Sequence, residues 1–183
     1  MIKEKIILGV DPGTQVMGYG LIKIEKNKPS LLQYGVIHLK KYETHAHKLQ
    51  KIFDRILGLI DEYNPDEMAL EAPFYGKNVQ AMLKLGRAQG VAMAAALSRQ
   101  IPIVEYAPKK IKQSVTGNGN ATKEQVAAML MQILSFEKGE DLMLDATDAL
   151  GVALCHFYQG GREQNKTGSW KSFISDNPKR VKK

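Results

Sequence analysis

Near the start of the apolar stretch LDATDALGVALCHFY (144–158), whose spacing reads as a helix, stand two carboxylates, Asp145 and Asp148. At i and i+3 they share one helix face, where like charges oppose each other, more so once water is excluded. Two more acids close short apolar runs: Asp11 follows Ile6–Val10, and Glu71 follows Met68–Leu70. If these runs are central strands, both acids emerge at one edge of a sheet, the edge at which open α/β sheets bind ligands. Four clustered carboxylates raise one another's pKa unless a cation stands among them. Mg²⁺ suits such a set, because it takes oxygen ligands from carboxylates, water and phosphate. Two such ions about 3.5–4 Å apart activate a water and stabilise the leaving oxygen in phosphodiester hydrolysis. Mn²⁺ is expected to substitute, and no His pair or Cys cluster competes as a metal site. Asp11, Glu71, Asp145 and Asp148 are therefore the candidate catalytic and metal-binding residues. Each alone has a plainer reading: Asp145 as a helix cap, Asp148 as a first-turn partner of the helix dipole, Asp11 as the residue before a Pro-Gly turn. Their conjunction favours the metal.

The elements that must position these acids are legible in the hydrophobic pattern. Strands are expected at Ile6–Val10, Tyr19–Ile24 and Leu31–Leu39, close enough for antiparallel hairpins. A helix over Thr44–Tyr63 stops at Asn64-Pro65. A short strand at Met68–Leu70, a helix over Val79–Leu97 and a strand at Ile103–Tyr106 follow, then helices over Glu124–Leu134 and 144–158. Between the last strand and those helices runs a basic, Gly/Asn-rich passage, PKKIKQSVTGNGNATK, read as a loop. The pattern implies a mixed α/β fold: a five-stranded sheet, three hairpin strands plus two more, flanked by helices.

The four segments VDPGTQVMGYG, ALEAPFYGKN, GNGNATKEQV and DATDAL, in that order, closely resemble the RuvC family of Holliday junction resolvases over residues 5 to 158. The resemblance implies an RNase H-like fold, a homodimer, and Mg²⁺-dependent paired nicking of a four-way DNA junction that leaves 5′-phosphate ends. It places Asp11, Glu71, Asp145 and Asp148 on the family's catalytic acids. It also implies cooperation with the branch-migration complex RuvAB.

Phosphodiester cleavage needs positive charge at the phosphate as well. Lys109, Lys110, Lys112 and Lys123 are the nearest suppliers, and the resemblance assigns Lys112 and Lys123 to DNA binding and catalysis. The intervening GNGN offers backbone N–H groups to phosphate. In the APFYGKN loop, Phe74, Tyr75 and Lys77 follow a catalytic acid, and aromatics there can stack on unpaired bases. The resemblance puts Phe74 near the junction centre. Gly86, Arg87 and Gly90 serve either a dimer interface or close internal packing, and the dimer rests on the resemblance. The plainer readings are a solvated basic loop and aromatics folded onto the core. His38, His45, His47 and His156 have no ligand spacing and are read as structural.

With 183 residues, 44% of them hydrophobic and 25% charged, the chain suits one folded domain. Residues 1–159 are read as the nuclease domain and 160–183 as a basic, disordered tail. That tail carries seven lysines and arginines against two acids, most of the net charge of +7. No apolar run is long enough for a membrane span, and a lone cysteine suits a reducing, cytoplasmic setting. Other readings stay open here: a nuclease of the same fold acting on RNA–DNA hybrid or other branched DNA, or a junction-binding module without catalysis. An actin-type ATPase would need a second comparable domain, for which residues 1–159 have no room.

Overall fold

The computed structural model describes residues 4–73, 78–137 and 144–160. Strands β1 (Lys5–Asp11), β2 (Val16–Glu25) and β3 (Lys28–His38) form an antiparallel meander. Lys26 and Asn27, both left-handed (φ 50° and 63°), make the tight β2–β3 turn. Strands β4 (Glu67–Glu71) and β5 (Ile103–Tyr106) add in parallel on the other side of β1, giving the order β3-β2-β1-β4-β5. The expected five-stranded mixed sheet is present, with β1 at its centre.

Period-2 alternation assigns the two faces. Leu8 and Val10 of β1, Met17, Tyr19 and Leu21 of β2, and Met68 and Leu70 of β4 point to one side. There they pack with α1 (His45–Tyr63) and α2 (Val79–Leu97) through Ile52, Ile56, Leu59, Ala88, Ala92 and Ala95. Ile7, Ile22 and Ala69 point to the other side, against α3 (Pro108–Thr116), α4 (Lys123–Leu134) and α5 (Leu144–Tyr158). Asp11 and Glu71 are in phase with this second set, so the pleat itself turns both acids toward α5.

The ends of the helices follow local chemistry. Thr44 caps α1 by accepting from the His47 N–H at 3.2 Å, and Asn64 ends it in the left-handed region. Thr122 and Gln125 form a reciprocal capping box, so α4 begins at Lys123.

One expectation is corrected. Residues 108–116, read as a basic loop, are the helix α3. Pro108 opens it, Gly117 (φ 77°) closes it, and Ile111 and Val115 are buried one turn apart. The lysines on the opposite face masked this two-residue apolar stripe.

Candidate active site

The acids meet because α5 lies unusually close to the sheet. A Cβ at Gly9 would stand 2.1 Å from the Ala149 carbonyl oxygen, and one at Gly18 would stand 1.9 Å from that of Asp145. Asp11 pairs with Gly18 across the β1–β2 ladder. The strand carrying the first acid is thus beside the glycine on which the first turn of α5 rests. Any side chain there would lift that turn. Sequence reading passed over these glycines, although an interior strand glycine signals close backbone approach.

α5 begins at Leu144, so Asp145 lies inside its first turn and is not its cap. Among the described residues, Asp11, Asp145 and Asp148 each offer a carboxylate oxygen within 4.8 Å of the others. Glu71 follows the Val10–Leu70 pair on the adjacent parallel strand and lines the same cavity, outside this tight trio. That cavity, of about 350 Å³, is walled by Asp11, Glu71, Asp148, Lys112 and Lys123, with Ile111 and Val126 as its apolar side.

The electrostatics are those of too much negative charge in one place. Burial, with the charges of Glu71, Asp148 and Asp145, pushes the Asp11 carboxyl up to about 8, against the pull of Lys123. Burial and Asp148 also raise Glu71, opposed by Lys123 and Lys112. Lys123 pairs directly with Asp148 and lies 3.9 Å from Asp145. Burial alone would lower its pKa, but the hydrogen bond to Asp148 and the charges of Asp148, Asp11 and Asp145 outweigh that and raise it. Two ammonium groups do not balance four carboxyls. The donor set, all hard oxygens with a surplus of negative charge, therefore fits a divalent cation.

The remaining candidates fall in three groups. Lys112 and Lys123 line the cavity. Lys109 does not; its side chain runs beneath Gly119, where a Cβ would meet its Cγ at 2.7 Å. Phe74, Tyr75 and Lys77 lie outside the described residues. The expectation that GNGN presents its N–H groups to phosphate is corrected for three of its four residues. The Gly117 N–H donates to the Gln113 carbonyl at 2.9 Å, that of Asn118 to Thr116 Oγ1 at 3.1 Å, and that of Asn120 to Asn118 Oδ1 at 3.0 Å. Those three groups are satisfied by the loop and the end of α3. His156 is buried at the far end of α5, bonded to Tyr106 Oη at 2.8 Å and to Glu67, away from the acids.

Residues 7–156 match the family described as Crossover junction endodeoxyribonuclease RuvC. The chain belongs to the RuvC family. A relative from Cytophaga hutchinsonii, crossover junction endodeoxyribonuclease RuvC, is 67% identical over 98% of this chain and 89% of its own length. One of the same description from Porphyromonas gingivalis is 58% identical over 98% of each chain. The structure of Thermus thermophilus RuvC in complex with a Holliday junction substrate superposes with a TM-score of 0.77 at 30% identity, covering 85% of this chain and 94% of that one. The fold is thus the RNase H-like fold of RuvC, and the chain is a crossover junction endodeoxyribonuclease.

Proposed function

We propose that this chain resolves four-way DNA junctions by paired symmetrical nicks that leave 5′-phosphate ends, with Asp11, Glu71, Asp145 and Asp148 as its catalytic acids. The observation that carries this reading is the trio of carboxylate oxygens within 4.8 Å of one another, two of whose residues, Asp11 and Asp148, line a cavity together with Glu71, Lys112 and Lys123. Asp11, Asp145 and Asp148 would hold the first cation, and Glu71, on the neighbouring strand, would share in a second. Bound Mg²⁺, or Mn²⁺ in its place, supplies water activation and neutralises charge at the phosphate. Lys112 and Lys123, which line the same cavity, offset the charge of the phosphate. Phe74, with Tyr75 and Lys77 beside it, engages bases opened at the junction, and the tail from residue 160 adds affinity for DNA.

A four-way junction has two-fold symmetry, so a symmetric pair of subunits addresses two of its strands alike. The exposed face of α2 supports such a pair. Val79, Leu83 and Leu97 are 66%, 50% and 60% exposed, and Gly86 and Gly90 between them face open space. These glycines therefore do not serve packing within the described residues. A branch-migration complex of the RuvAB type is the proposed partner in the cell.

The test is Asp145→Asn. Its carboxamide keeps shape and removes charge, so junction binding in a gel-shift assay is expected to persist while nicking falls by more than about a hundredfold. Near-normal nicking would remove Asp145 from the metal site.

A further inference from the structure

The two flanks of the catalytic edge are built differently. On one side α3 and α4 supply Lys112 and Lys123. On the other, the turn after Asp11 is tied to the end of β3 and the start of α1. The Leu39 and Lys40 N–H groups both donate to the Gln15 carbonyl, at 2.9 and 3.1 Å, and Lys48 Nζ donates to the Thr14 carbonyl at 3.4 Å. Beyond this turn an open groove of about 300 Å³ lies between β3 and α1, lined by Val36, Ile37, His38, Lys41, Lys51 and Arg55.

Lys48, Lys51 and Arg55 recur at three- and four-residue spacing, so they share one face of α1. Among the described residues no carboxylate lines the groove, and Glu43 and Asp54, the acids nearest in sequence, are exposed outside it. Among the described residues, no ion pair involves Lys41, Lys48, Lys51 or Arg55. Like charges gathered without acids cost stability. A face that serves solubility mixes its signs.

One of these cations is also held in place. Arg55 donates to Tyr19 Oη at 2.8 Å and lies over that ring, 5.1 Å from its centroid. The hydroxyl has room because position 35 is glycine; a Cβ there would stand 2.6 Å from it. Tyr19 is a core residue, so the guanidinium is fixed to the sheet. A row of cations along an acid-free groove, continuous with the catalytic turn, is the complement of a sugar–phosphate backbone.

We infer that this groove carries the backbone of one duplex arm of the DNA substrate, which leaves the catalytic acids across the 12–15 turn and runs along α1. The inference rests on the nuclease reading above. Its test uses the full chain with a labelled four-way junction, in Ca²⁺ to withhold cutting, with affinity measured by anisotropy across a salt series. Lys41→Glu with Lys51→Glu is compared with Lys26→Glu with Lys28→Glu, an equal charge change at the far end of the β2–β3 hairpin. The groove pair is expected to weaken binding by about tenfold or more and to lower the salt slope by about two, one for each lost phosphate contact. Circular dichroism checks that both variants fold. The far pair is expected to match the wild type. Equal affinity and slope for the groove pair and the wild type would overturn the inference, as would equal losses in both pairs, which would mean net charge alone. A wild type that does not bind the junction would overturn the nuclease reading itself.

Discussion

Asp11 concentrates the chemistry of the site in one titration. Burial and three neighbouring acids lift its pKa from 3.8 to about 8. Between those values the folded protein without metal holds a proton that the unfolded chain has released. Its contribution to stability is therefore present at low pH and lost as pH rises through about 8. The melting temperature of metal-free protein should fall over this window, Asp11→Asn should flatten the fall, and added Mg²⁺ should reverse it. Metal binding must displace the same proton, so apparent Mg²⁺ affinity should climb by up to about tenfold per pH unit below the Asp11 pKa. A calorimetric titration at several pH values checks this, and a flat profile would mean that Asp11 is not a ligand. The acids were readable in the sequence because Asp11 and Glu71 each end an apolar run, and Asp145 and Asp148 stand near the start of another, where the pattern has no use for charge. Their unequal standing, a tight trio with Glu71 beside it, was not readable, because it depends on how far α5 descends onto the sheet.

That descent is a property of elements. Strand alternation and helical periodicity gave the five strands and four of the five helices, and α2 and β5 begin and end where expected. α3 was missed because only Ile111 and Val115 mark its buried face. The seating of α5 was missed because a glycine's contribution is an absence of atoms. Gly9 and Gly18 are predicted to be the positions where the sheet tolerates least. Gly18→Val should cost about 3 kcal/mol or more, since the new side chain meets backbone that cannot rotate away. It should also abolish nicking by displacing Asp145. Gly58, in α1 with nothing within 4 Å, is the contrast: Gly58→Ala should stabilise by about 0.5–1 kcal/mol. Urea denaturation of the two variants reads both signs, and similar effects at the two sites would contradict the account of α5.

At the scale of the whole molecule, the sheet gathers its acids at one edge, and among the described residues one helix face is left without a cover. Val79, Leu83 and Leu97, with Gly86 and Gly90, make an apolar stripe along α2. Leu83→Glu should shift sedimentation from dimer toward monomer and reduce paired nicking, while leaving the thermal stability of the monomer largely intact. An unchanged sedimentation profile would mean that this stripe is not a subunit contact. Among the described residues no helix is long and apolar enough to cross a membrane. The acid cluster is expected to cut four-way junctions, and to do so symmetrically. The most direct test is cleavage of a labelled mobile four-way junction in Mg²⁺, beside a linear duplex and an RNA–DNA hybrid of the same sequence. Paired nicks at symmetrical positions in the junction, with both controls intact, are the predicted result; cutting of the hybrid, or tight junction binding without any cut, would contradict it.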